Sequence, residues 1–221
     1  MKRTILSALI LVIFFTSANS QSQGPEKRIN LYGAYVFDDE VSAYDTYNYG
    51  FGGKIKAGFQ YGAGIEFLPR EDFGVELLYI GQMTEGQLNY YTSYYPSGTP
   101  FSLDLSLNYA MLGFNRYMQN PSSKVETFGG IMLGALFSSV KNPNNGESRS
   151  ATKFTWGLRL GANIWASDRV AVKLQAQVLS AVQSVGGSAY FGTGGSGAGV
   201  STYSSMMQFG IGGGLAFRLG N

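Results

Sequence analysis

From Lys54 to Phe67 the chain alternates without a break for fourteen residues. Ile55, Ala57, Phe59, Tyr61, Ala63, Ile65 and Phe67 fall on one face. Lys54, Lys56, Gly58, Gln60, Gly62, Gly64 and Glu66 fall on the other. A helix repeats every 3.6 residues and cannot hold a period of two, so this segment reads as a long strand with one apolar and one polar face. Phe154–Trp165 and Met207–Leu219 repeat the pattern. Noisier strands are expected at Ile29–Phe37, Phe73–Met83, Phe101–Tyr117, Val125–Ser138 and Val170–Val182. Within Phe101–Tyr117 the alternation falters near Met111-Leu112, where a β-bulge could shift its phase. Val170, Leu174, Val178 and Val182 also fit a helical stripe, but Lys173, Gln175 and Gln177 alternate with apolar neighbours and favour a strand.

Eight strands leave seven connections, and these alternate in length. Asp38–Gly53, Thr84–Pro100, Ser139–Lys153 and Gln183–Ser205 are long; Leu68–Asp72, Gln119–Lys124 and Ala166–Arg169 are short. That sorting is expected of an all-β, eight-stranded antiparallel up-and-down transmembrane β-barrel with long outer loops and short inner turns. The competing architecture is a soluble eight-stranded barrel with its apolar face inward. Composition favours the membrane form. Charged residues make up only 14% of the chain, too few to cover a solvated face. The polar faces are instead rich in glycine with isolated charges, which suits a narrow interior. Phe67, Phe73, Tyr117, Trp165 and Phe217 lie near the short turns, and Tyr35, Phe37, Tyr79 and Phe101 lie toward the long loops. Two such belts match interfacial aromatic girdles.

The first twenty residues read as an export signal. Lys2 and Arg3 precede an apolar run, Ile5–Phe15, and the small residues of Thr16–Ser20 follow. The expected division is a signal peptide over 1–20, a short periplasmic segment over 21–28 and the barrel over 29–221. Without the first segment the chain carries 14 basic and 14 acidic residues, so nothing steers it to nucleic acid. It has no cysteine and no histidine, which excludes disulfides, thiolate or imidazole metal sites and a histidine base. No catalytic residue, cofactor or metal is expected.

The phrases Phe73-Gly-Val-Glu-Leu-Leu-Tyr, Phe128-Gly-Gly-Ile-Met-Leu-Gly and Trp156-Gly-Leu-Arg-Leu-Gly-Ala, with a glycine-rich last strand, carry a resemblance. The chain resembles the small outer-membrane β-barrels of the OmpA/OmpX and opacity type. The resemblance implies a monomer in the outer membrane, inserted by the barrel-assembly machinery among outer-membrane lipid and lipopolysaccharide. Such barrels usually end on an aromatic residue, whereas this sequence ends Phe217-Arg-Leu-Gly-Asn221.

Inside the barrel a structural charge network is expected from Glu66, Glu76, Arg116, Glu126, Arg159, Lys173 and Arg218, with Arg116 facing Glu126 across a hairpin. Phe128, Met132, Tyr32 and Leu78 share the inward phase and fill the lumen. Outside, Tyr90, Tyr91, Tyr94 and Tyr95, with Tyr44, Tyr47 and Tyr49, form either a loop-borne binding surface for an extracellular ligand or an extension of the upper girdle. Asp38, Asp39, Glu40 and Asp45 read as a solvated acidic loop, with a divalent-cation site as the alternative. The functional expectation is a non-enzymatic barrel with a structural or surface-interaction, adhesion-like role. The alternative is a narrow porin or lateral-diffusion channel for small solutes, hydrophobic ones included.

Overall fold

The computed structural model describes residues 25–44, 50–92, 95–119, 122–143, 146–182 and 206–219. Among them are ten strands: β1 (Glu26–Val36), β2 (Asp39–Tyr44), β3 (Gly50–Ile55), β4 (Gly58–Arg70), β5 (Phe73–Thr92), β6 (Tyr95–Gln119), β7 (Val125–Lys141), β8 (Ser148–Trp165), β9 (Val170–Val182) and β10 (Met206–Leu219). β1 and β4–β10 pair antiparallel in a ring, β1–β4–β5–β6–β7–β8–β9–β10, and β10 returns to β1. This is a closed, eight-stranded up-and-down barrel, and Val170–Val182 is one of its strands.

Register gives the barrel its shape. From Asn30, one path round the ring passes Ala216 and Ala171 to Trp165. The other passes Gly64, Leu78, Met111 and Gly134 to Thr155. The two arrivals lie ten residues apart on β8, which is the shear of the barrel and tilts its strands toward the upper end of the ~35–45° range. Eight strands at that tilt enclose a space that side chains can fill. β10 approaches β1 so closely that a Cβ at Gly214 would lie 1.7 Å from the Leu31 carbonyl oxygen; only glycine fits there.

The apolar faces point outward. Leu31, Phe59, Ile65, Leu77, Leu158, Leu160, Val172, Leu174 and Ile211 are exposed, whereas Arg28, Asn30, Glu66, Glu76, Asn115, Arg159 and Lys173 are buried. Tyr35 packs edge-on against Phe37, which stacks on Phe209 at 5.6 Å, giving one aromatic belt. Phe67 also stays outside, but Tyr117 and Trp165 turn inward and line the lumen. They are not girdle residues.

Several expected boundaries move. Lys54–Phe67 is two strands, not one: the ladder is interrupted at Lys56-Ala57, and β3 and β4 lie end to end along β5. Lys56 closes this gap by donating its amide to the Glu85 carbonyl and accepting from the Thr84 hydroxyl. The connections expected at Asp38–Gly53 and Thr84–Pro100 are largely strand. β2 and β3 form a hairpin that joins the extended tips of β5 and β6, so a sheet in the order β2-β3-β5-β6 rises above the barrel. Similarly, β7 and β8 narrow the third connection to 142–147. β1 begins at Glu26, so the segment expected in the periplasm includes the first strand residues. Residues 1–20 and 183–205 lie outside the described residues.

Candidate functional site

Among the described residues the lumen holds the densest polar chemistry, arranged in three levels. At the short-turn end Arg28 projects from β1 and donates to both carboxylate oxygens of Glu126 on β7, at 2.7 and 3.0 Å. It also donates to Glu26 at 2.5 Å, while Asn163 donates to Glu126 at 2.7 Å. The Arg28 guanidinium sits between the rings of Tyr117 and Trp165, 4.8 and 5.0 Å away. Arg218 closes the end by stacking on Trp165 at 3.6 Å and donating to Glu26.

One level higher, Glu66 and Glu76 are cross-strand partners on β4 and β5. Like charges so placed repel, and the surrounding donors resolve this. Glu66 accepts from Asn115 and from the Tyr117 hydroxyl, each at 2.6 Å. Glu76 pairs with Arg159 and accepts from the Tyr32 hydroxyl. Asn30 donates to both carboxylates. Arg159 also donates to Asn115 and Tyr32. Lys173 lies over Phe128 at 4.5 Å and faces Tyr32 at 5.6 Å. Three buried cations, Arg28, Arg159 and Lys173, thus stand against three buried carboxylates, Glu66, Glu76 and Glu126. Buried charges are costly unless paired and hydrogen-bonded, a condition that Arg28 and Arg159 meet, whereas Lys173 Nζ is held over aromatic rings with no hydrogen-bond partner among the described residues.

The third level is divided. Leu78, Ile80, Leu107, Tyr109, Met111, Met132, Leu136 and Leu179 form one apolar cluster. Elsewhere Gln175 donates to Gln177, Gln177 to Gln60, and Gln60 to Gln82 and Gln208. Tyr109 also donates to Gln208, at 2.9 Å.

One expected member of the network lies elsewhere. Arg116 is on the outer face, its side chain 64% exposed and paired with Asp72 at 2.8 Å. The β6–β7 register runs unbroken from Asp104 to Gln119, so no bulge occurs at Met111-Leu112 and every odd residue from Leu107 to Tyr117 faces inward. Arg116 is opposite Gly129, not Glu126. The partner of Glu126 is Arg28, which lay just outside the expected first strand. Its phase, shared with Asn30 and Tyr32, is the signal that could have found it.

The other proposed sites resolve differently. Tyr90 and Tyr91 are on β5 and Tyr95 is on β6, in the sheet above the barrel; Tyr94, Tyr47, Tyr49 and Asp45 lie outside the described residues. Asp38 pairs with Lys54 and accepts from the Ala57 amide, and Asp39 accepts from the Met207 amide. These two acids fasten the β2–β3 hairpin to the barrel rim. Glu66 and Glu76 are saturated by donors and sealed from solvent, which leaves no room for a substrate between them.

An up-and-down barrel with apolar side chains outside and a charge network inside has the architecture of the small outer-membrane barrels. The crystal structure of Neisserial surface protein A superposes with a TM-score of 0.57 at 12% identity, covering 87% of this chain and 97% of that one. The outer membrane protein OprG from Pseudomonas aeruginosa gives 0.56 at 10% identity, covering 90% and 98%. At these identities the likeness is one of fold. No protein-family model and no curated protein sequence matches the chain.

Proposed function

We propose that the chain is an exported outer-membrane barrel with a closed lumen, acting through the surface it raises above the membrane. The observation that carries this is the inversion of polarity: charged and amide side chains lie buried in the interior, beside one apolar cluster, while Leu, Ile, Val and Phe side chains stand exposed on the outside. Such an exterior is stable only in lipid or detergent. The amino-terminal segment, residues 1–20, supplies the export signal. The β2-β3-β5-β6 sheet, which carries Tyr44, Tyr90, Tyr91 and Tyr95, supplies a surface for an extracellular ligand, consistent with an adhesion-like role. Membrane-extracted protein should migrate faster on a gel before boiling than after, and unboiled protein that migrates as unfolded chain would remove the barrel.

A narrow channel is the second reading. It is favoured by buried amide atoms of Gln82, Gln208 and Gln175 that lack a hydrogen-bond partner, an arrangement that accommodates water. Planar-bilayer recordings separate the two, because the Arg28–Glu126 closure predicts no stable conductance.

A further inference from the structure

The outer face carries a charged pair that the lumen network does not use. Arg116 and Arg70 both approach the single carboxylate of Asp72, at 2.8 and 3.7 Å. Arg70 also lies over the Phe73 ring at 5.9 Å. Two guanidinium groups thus share one carboxylate, and the exposed Glu71 of the same turn is a second acid. Lys27 on β1 adds a further exposed cation at the same end, so three cations, Arg70, Arg116 and Lys27, stand against two acids, Glu71 and Asp72.

The position of Arg116 on its strand is unusual. On the outward phase of β6 it lies below Phe114 and above Met118, which is itself well exposed. Higher on the same face Asn108 accepts from the Tyr79 hydroxyl and donates to Ser106, so a polar patch begins there. Eight residues separate Asn108 from Arg116. At ~3.3 Å per residue and a ~40° tilt that is about 20 Å of height, less than the ~25 Å apolar band of such barrels. The guanidinium therefore starts within the apolar band and reaches the Asp72 carboxylate at its edge. Directly opposite, Gly129 leaves the surface bare: a Cβ there would meet nothing within 4 Å. Ile131 and Leu112 continue the strip upward as exposed apolar side chains.

We infer that Arg116 and Arg70 hold the phosphate of an anionic phospholipid, with one acyl chain lying along the Gly129–Ile131 strip. The charge complements a phosphodiester, the fork of each guanidinium can bind two of its oxygens, and the missing side chain at Gly129 makes room for the chain. The inference rests on the membrane reading above, and its test keeps the two apart.

Folded protein is exchanged into nanodiscs of phosphatidylcholine with a minor share of phosphatidylglycerol, and the lipid retained on the released barrel is read by native mass spectrometry. Phosphatidylglycerol should be retained over phosphatidylcholine. Arg70→Gln with Arg116→Gln should lower retention at least tenfold. Gly129→Leu, which leaves all charges in place, should lower it comparably. Arg169→Gln, which removes a cation from a different short turn, should leave it unchanged. In lipid-free micelles, inorganic phosphate should not bind in place of the lipid. Equal retention by the double variant overturns the site, as does equal loss from Arg169→Gln, which would mean general charge attraction. A barrel that enters phosphatidylcholine discs and shows no preference overturns this inference alone. A chain that enters no disc overturns the membrane reading.

Discussion

Arg28 and Glu126, 98 positions apart in the chain, meet across the barrel, from β1 to β7, through two hydrogen bonds of 2.7 and 3.0 Å. Both side chains are almost fully buried. Glu126→Ala therefore leaves the buried guanidinium with only the part-exposed Glu26 as a carboxylate partner and should destabilise the fold by up to about 3 kcal/mol. Arg28→Met with Glu126→Leu removes both charges and should cost less than that single change. Urea unfolding in lipid vesicles measures all three. The same cycle between Arg116 and Glu126 should give coupling near zero, since Arg116 lies outside.

On β7 two glycines should respond oppositely to a methyl group. A Cβ at Gly134 would sit 2.2 Å from the Ala110 carbonyl oxygen and 2.7 Å from the Met111 Cα, backbone atoms that cannot yield. Gly134→Ala should lower folding yield and stability by more than about 1 kcal/mol, while Gly129→Ala should be close to neutral. Equal effects in refolding titrations would mean that the β6–β7 register is wrong.

Charge on the exterior should be poorly tolerated. Leu158 is half exposed on the outer face at mid-strand. Leu158→Lys should cost about 2–4 kcal/mol in lipid, whereas Leu158→Met should be nearly silent. Vesicle refolding yields report the difference.

Acid should loosen the upper hairpin. The hydrogen bond with Lys54, reinforced by that from the Ala57 amide, holds the Asp38 carboxyl below its ordinary range. A depressed carboxylate contributes stability above its unfolded pKa, and that contribution is lost as pH falls through the folded value. Burial pushes Asp39 in the opposite direction, so its protonation does not add to the loss. The Ala57 amide resonance should titrate with a midpoint below 3.8, the ordinary value for Asp38. In Asp38→Asn that titration should vanish.

Topology has a protease signature. Lys141 and Arg149 flank the third connection and are exposed. Trypsin added to intact cells should cut there and spare Lys124 and Arg169 at the short turns. The reverse pattern would invert the barrel.

The barrel was legible in the sequence because membrane strands must alternate along their length, and glycine-rich inward faces do not blur that signal. Arg28 is hard to read because it precedes the first clearly apolar residue of β1, which leaves the phase it shares with Asn30 and Tyr32 as its one signal. Arg116 is ambiguous in the sequence for another reason. The upper lumen is apolar at Leu107, Tyr109 and Met111, while the outer face is polar at Ser106 and Asn108, so hydropathy alone gives β6 the wrong phase. The β2–β3 hairpin was hidden because it pairs with strand extensions above the barrel, beyond the region where one face must be apolar. The carboxylates Glu66, Glu76 and Glu126 were readable as lumen residues, but their partners depended on register, which the shear of the closed ring determines.

The inversion of polarity is tested most directly on β9. The chain has no cysteine, so single replacements give a clean label. Val172→Cys, Leu174→Cys, Gln175→Cys and Gln177→Cys would each carry a nitroxide in lipid vesicles, and collisions with oxygen and with a water-soluble nickel chelate would be measured. The account predicts strong oxygen collision and weak nickel collision at 172 and 174, and weak collision with either at 175 and 177. Strong nickel collision at 172 and 174 would contradict it, because the apolar face would then meet water.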